Sequence, residues 1–188
     1  MAAFLAADEE RPALLEEKGA ALPGTRFTYA VGRLMLWSPR NDLVDPEAEV
    51  LKKDGFRHLA VANPRLAPYG LAAQNVLESL GLWQILQPRL VRGENIGQTF
   101  QFVFSGNAEL GFVALSQYLG LDPARRGSVW LVPESMHAPI RQQAVLLVDD
   151  PIARAFLEFL QSPAAREVIR DHGYGLPDEP PVPEPEVR

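Results

Sequence analysis

Two stretches place turn-forming residues and glycine directly before a helix start: Asn63-Pro64-Arg65-Leu66-Ala67-Pro68-Tyr69-Gly70 and Gly93-Glu94-Asn95-Ile96-Gly97-Gln98. A helix begins with backbone N–H groups that none of its own carbonyls satisfies, and its peptide dipoles sum to roughly half a positive charge there. Such an end binds oxyanions through main-chain amides. Pro68 at the first helical position has no N–H, so the first donors of that end belong to Tyr69 and Gly70. Gly70 also lets another molecule come close to the backbone. In the second stretch Asn95 reads as an N-cap with Gln98 three residues on, a relative of the capping box. That leaves the N–H groups of Ile96 and Gly97 at the positive end. Two such ends facing one cleft would hold a dianion without any Lys or Arg. Each end alone reads better as an ordinary helix start, since every helix needs one, and spacing does little to raise the pair above that.

Other chemistries find less support. No serine lies in a Gly-x-Ser-x-Gly elbow, and no Walker or dinucleotide glycine pattern occurs. His58, His137 and His172 are too widely spaced for a helical or loop metal motif, and no carboxylate cluster has calcium-loop spacing. His137 reads as a structural hydrogen-bonding residue, His172 as a helix-end cap and His58 as strand packing. The absence of cysteine excludes disulfides, thiolate metal sites and cysteine nucleophiles. The expectation is a non-enzyme with no catalytic residue, no cofactor and no direct protein–metal ligand.

The elements that must position the two junctions alternate. Residues 4–7 read as a buried strand, and Asp8 as the N-cap of a helix running to about Lys18. Residues 27–37 read as one long strand, 58–62 as a short one, 68–80 as a helix with Leu71, Ala72, Val76 and Leu80 on one face, and Gly81 as its C′ residue. A turn at 82–86, a strand near 89–91, a helix over 96–104 and strands over 110–115 and 129–132 follow. Residues 143–148 read as a strand, Pro151 opens a helix to Leu160, and Ser162-Pro163 opens another to about His172. Short strands alternating with helices predict an α/β fold with mainly parallel sheets. Pro177 to Arg188 reads as a disordered, solvated Pro/Glu tail.

At 188 residues, 47 % hydrophobic and 22 % charged, the chain has an ordinary globular composition and can bury a core without staples. Its net charge of −6 and the lack of a basic stripe argue against nucleic acid and anionic lipid as partners. The apolar runs are short of a membrane span. Residues 1–7 have no basic flank and meet Asp8-Glu9-Glu10 at once, so they read as a strand and not as a secretory signal.

As a set, several motifs carry a resemblance. They are Phe4-Leu5-Ala6-Ala7-Asp8 with Arg11-Pro12, Ala62-Asn63-Pro64 with Ala67-Pro68-Tyr69-Gly70, Gly93-Glu94-Asn95-Ile96, Ser105 through Ser116, and His137-Ala138-Pro139-Ile140-Arg141-Gln142. In this order, over about residues 3–175, the chain resembles the periplasmic molybdate-binding proteins of ABC transporters. The resemblance implies a two-lobed architecture like that of type II periplasmic binding proteins. It implies molybdate, or tungstate, held between the lobes by the backbone N–H groups of Tyr69 and Ile96, a membrane permease as partner and a periplasmic location. Gly70, Asn95, Gly97, Ala114 and Ser116 are secondary candidates. Some family members carry a tyrosine hydroxyl where this chain has Ala114, so that contact is expected to be absent, with Tyr69 or Ser116 as substitutes.

The family opens with two further βα units and a signal peptide. On this reading the first βα units of lobe one are missing, roughly fifty residues at about 30 per βαβ unit, and two hydroxyl-bearing loops with them. The expected layout is lobe one over 1–37 plus 142–176 and lobe two over 38–141, with self-association through the incomplete lobe. The alternatives are a cytosolic ligand-sensing regulatory module of the same fold, or a truncated fragment that binds nothing.

Overall fold

The computed structural model describes residues 1–179; residues 180–188, most of the expected tail, lie outside the described residues. In chain order the strands are β1 (Ala3–Ala6), β2 (Phe27–Gly32), β3 (Leu34–Ser38), β4 (Leu59–Ala62), β5 (Leu90–Gly93), β6 (Leu110–Ala114), β7 (Ser128–Leu131) and β8 (Ile140–Leu146). The helices are α1 (Glu10–Glu17), α2 (Pro68–Ser79), α3 (Trp83–Leu86), α4 (Ile96–Phe104), α5 (Leu115–Leu119), α6 (Pro151–Leu160) and α7 (Pro163–Asp171). The described residues divide into two compact units: Met1–Gly32 with residues 139–179, and Arg33–Ala138.

The second unit is built on a five-stranded sheet in the order β5-β4-β6-β3-β7. Strands β5, β4 and β6 run parallel, while β3 is antiparallel to both β6 and β7. The chain steps from β4 to β5 through α2 and α3, then back across β4 to β6 through α4. Because such crossovers are right-handed, steps in opposite directions place α2 and α4 on opposite faces of the sheet. Packing agrees with this: Met35, Trp37, Ala60 and Val113 meet Val103 and Phe100 of α4. A Cβ on Gly111 would lie 2.6 Å from Val103 Cγ2 and 2.8 Å from Ala60 Cβ, so only glycine lets α4 settle there. Every residue of β3, β4 and β6 is buried, as strands covered on both faces require. Helix α2 buries Ala72, Ala73, Val76 and Leu77, whereas Leu71, expected on that face, is exposed. It ends in a Schellman motif: Gly81 at φ +70° donates to Glu78 O at 2.9 Å, and Leu82 N to Leu77 O at 2.7 Å.

The first unit holds a three-stranded sheet in the order β1-β8-β2, antiparallel throughout. Asp150 caps α6 by accepting from Ile152 N at 3.0 Å and Ala153 N at 2.8 Å, and Ser162 caps α7. Leu157 packs on Ala144 and Leu146.

Several expectations need correction. The sheets are not mainly parallel, because β8 returns between β1 and β2 and β3 returns beside β6; only the β4–α2–β5–α4–β6 stretch has crossover helices to keep strands parallel. Residues 27–37 form two strands in different sheets, broken at Arg33, and the unit boundaries accordingly fall at 32/33 and 138/139. Strand β1 is half-buried, with Leu5 40 % exposed. Asp8 lies one residue before the N-cap Glu9, yet still accepts from Arg11 N at 2.8 Å. Residues 115–119, read partly as strand, form α5. Residues 175 and 176, just before the expected tail, dock on β2: Gly175 and Val31 exchange two backbone bonds at 2.8 Å and Leu176 is buried, while in the described part of the tail Asp178 pairs with Arg166 and Glu179 with Arg170.

Candidate functional site

Strands β4 and β5 lie side by side with Ala62 opposite Gly93, and Asn63 N donates to Gly93 O at 2.7 Å. Helices α2 and α4 start just beyond, on opposite faces. The two sequence-predicted junctions therefore flank the carboxyl ends of adjacent strands at the point where chain direction reverses. Open α/β sheets bind ligands in that crevice.

The first junction is tied to itself. Asn63 O accepts from Leu66 N and Ala67 N, both at 3.0 Å, and Asn63 Oδ1 accepts from Arg65 N at 3.0 Å. Tyr69, in the first turn of α2, is 3 % exposed and has partners within the chain. Gly70 departs from expectation. Its N–H donates to Ala67 O at 2.9 Å, and a Cβ there would sit 2.3 Å from Ala62 O and 2.8 Å from Asn63 C. The close approach that glycine permits is that of β4's own end, not of another molecule.

The second junction opens a helix with a 3-residue reciprocal cap, as its sequence suggested. Asn95 Oδ1 accepts from Gln98 N at 2.9 Å, while Gln98 Oε1 accepts from Glu94 N at 2.6 Å, one residue ahead of the usual capping-box partner. Asn95 O accepts from Thr99 N at 3.1 Å and Thr99 Oγ1 at 2.9 Å. Among the described residues, no acceptor takes the N–H of Ile96 or of Gly97.

At the end of β6, Ala114 N donates to Gln117 Oε1 at 3.1 Å, and Gln117 Nε2 donates to Ile96 O at 3.2 Å. One side chain thus links β6 to α4. Ser116, in the first turn of α5, has a partner within the chain. Sequence reasoning missed Gln117. The available signal was a glutamine three residues past a strand end, which only speaks once α5 is recognised as a helix.

The opposite, amino ends of β4 and β6 are pinned electrostatically. Burial pushes the Glu109 carboxyl up, but hydrogen bonds from the backbone N–H of His58 and from Arg57 outweigh it and hold the pKa below the ordinary carboxylate range. Among the described residues, no three His, Cys, Asp or Glu side chains gather as a metal site, and no helix is long and apolar enough to cross a membrane.

Over residues 2–175 the chain matches the bacterial extracellular solute-binding protein family, and it belongs to that family. Within it, the chain is 51 % identical over 176 residues to the molybdate-binding protein ModA of Azotobacter vinelandii, covering 92 % of this chain and 70 % of that protein. It is 48 % identical over 174 residues to ModA of Rhodobacter capsulatus, covering 91 % and 68 %. The solved periplasmic molybdate-binding protein of A. vinelandii matches with a TM-score of 0.88 and 43 % identity, over 94 % of this chain and 78 % of that one. These relatives are binding proteins by name, and this chain is similar to them along nearly its whole length.

Proposed function

We propose that the chain captures molybdate, and the isosteric tungstate, outside the cytoplasm and delivers it to the membrane permease of an ABC transporter. The observation that carries the reading is the pair of N–H groups at Ile96 and Gly97, which meet no acceptor among the described residues, at the strand-end crevice of a chain 51 % identical to a protein named for molybdate binding. In the proposed site Ile96 and Tyr69 supply the principal backbone donors and Gly97 a further one. Asn95 holds α4's first turn in shape, Gly70 seats α2 against β4, and Ala114 and Ser116 line the β6 end. Neutral donors fixed by helix starts suit a dianion, because each charge-assisted hydrogen bond is worth about 1.5–3 kcal/mol. Selection against sulfate would come from the cavity's size, because rigid donors at a fixed separation penalise a smaller tetrahedron.

Thermal unfolding with molybdate, tungstate, sulfate and phosphate tests this. A ligand at 100 times its dissociation constant stabilises the folded chain by about 2.7 kcal/mol. Molybdate and tungstate should do so at far lower concentration than sulfate; equal response to sulfate, or none to any oxyanion, overturns the proposal. Exposed Ile152, Phe156 and Phe159, spaced along α6, support self-association of the chain in solution. Light scattering showing a monodisperse monomer at high concentration would refute that part alone.

A further inference from the structure

We infer that Thr99 and Gln117 are positioning residues for the oxyanion donors, acting through the carbonyl that shares a peptide group with each donor. The inference rests on the site proposed above.

A trans peptide is planar, with its C=O and N–H antiparallel, so fixing the carbonyl fixes the direction of the N–H. The Ile96 N–H shares its peptide with Asn95 O, and the Gly97 N–H shares its peptide with Ile96 O. Both carbonyls are gripped by side chains. Thr99 holds Asn95 O with its N–H at 3.1 Å and its hydroxyl at 2.9 Å. Gln117 Nε2 holds Ile96 O at 3.2 Å. The two N–H groups that find no acceptor among the described residues therefore sit on peptides whose opposite ends are held by side-chain donors.

Both gripping side chains are themselves locked. Thr99 is fully buried, and the end of β5 lies so close that a Cβ on Gly93 would sit 2.5 Å from Thr99 Oγ1. The Gln117 amide has only one usable orientation: Oε1 must accept from Ala114 N, so Nε2 faces Ile96 O. Donation into a carbonyl also polarises the peptide, and each bond in such a chain strengthens the next by an estimated ~10–30 %. Thr99 and Gln117 thus aim and sharpen two donors without touching the anion. The same amide contact occupies the Ala114 N–H, which removes it from the set of donors open to a guest.

The test uses Thr99→Val, Thr99→Ser and Gln117→Met. Backbone amide chemical shifts are read in the ligand-free protein, and molybdate affinity by calorimetry. Thr99→Val should move the Ile96 amide proton upfield and leave Gly97 largely in place; Gln117→Met should do the reverse. Each should weaken molybdate binding by about three- to tenfold, the scale of one lost hydrogen bond. Thr99→Ser keeps the hydroxyl and should restore both shift and affinity. Unchanged amide shifts, shifts spread equally over both residues, or affinity that falls only in step with the unfolding temperature would overturn the inference. If the unsubstituted protein binds no oxyanion, the proposed function fails, yet the ligand-free amide pattern still decides this question by itself.

Discussion

Two interior strands of the junction-bearing sheet, β4 and β6, and the two outer strands of the other unit, β1 and β2, differ in burial. Every residue of β4 and β6 is buried, whereas β1 has one buried residue and β2 has two; the edge strand β5, which carries the second junction, buries only Gly93, and the central β8 buries all but Arg141. In the junction-bearing unit, α2 and α4 cover both faces of the sheet. In the other, α6 buries Leu157 and α7 buries Ala165, while Ile152, Phe156, Phe159 and Val168 stay between 45 % and 81 % exposed. The difference teaches that the candidate site leans on interior strands that cannot shift without opening a core, while the outer strands β1 and β2 tolerate more.

The sharpest way to break that comparison is one aromatic truncation in each unit. Phe112→Ala, at a fully buried position of β6, should cost about 3–5 kcal/mol in urea unfolding. Phe156→Ala should cost less than about 1 kcal/mol, and an equal cost would erase the contrast. A second pair sits within the site. Gly70→Ala drives a Cβ into backbone at 2.3 Å and should destabilise by about 1–3 kcal/mol while weakening molybdate binding. Gly97→Ala meets only Asn95 Oδ1 at 3.2 Å, and a helix-propensity gain of up to about 1 kcal/mol offsets the squeeze, so its unfolding temperature should barely move.

Caps give smaller effects. Asn95→Ala and Asp150→Ala should each cost about 1 kcal/mol, but only Asn95→Ala should reduce oxyanion affinity, because of these two capped helices α4 starts at the candidate site and α6 does not. The smallest effect at neutral pH, and a late one, concerns Tyr29. Burial, with Tyr174 nearby, pushes its pKa up to about 12. A raised folded pKa contributes stability that is complete below the unfolded value of about 10 and is lost as pH rises through the folded one. Alkaline unfolding should therefore begin in the Tyr29 unit, and Tyr29→Phe should flatten the loss above pH about 10.

Features fixed by neighbours in sequence were legible. Pro68, Pro151 and Pro163 open α2, α6 and α7 as read, Asn95 caps α4, and Gly81 and Gly173 take the positive φ that ends a helix. What depends on distant partners was not. Nothing within residues 27–37 announces that β2 will pair with β8 and β3 with β6 and β7. The antiparallel return of β8 is likewise a matter of pairing and not of pattern. At the candidate site, local reading singled out the Ile96 and Gly97 N–H groups, which meet no acceptor among the described residues, but assigned Gly70 an open backbone, because the β4 end that fills that space lies across the turn. Gln117 escaped notice for a similar reason: its meaning lies in Ile96 O, 21 positions away.

The packing beneath α4 also equips the molecule with a built-in optical reporter. Trp37, fully buried, stacks on Phe100 with ring centroids 5.2 Å apart and planes 13° from parallel, and its indole N–H is held by Arg126 O at 2.6 Å. Phe100 lies one turn along the helix from Ile96, so a guest that tugs on the first turn would disturb the dry indole through its stacking partner. Trp83 and Trp130 are only half-buried, which separates their redder emission from that of Trp37. Occupancy could then be followed by fluorescence from the natural side chains, with no label attached.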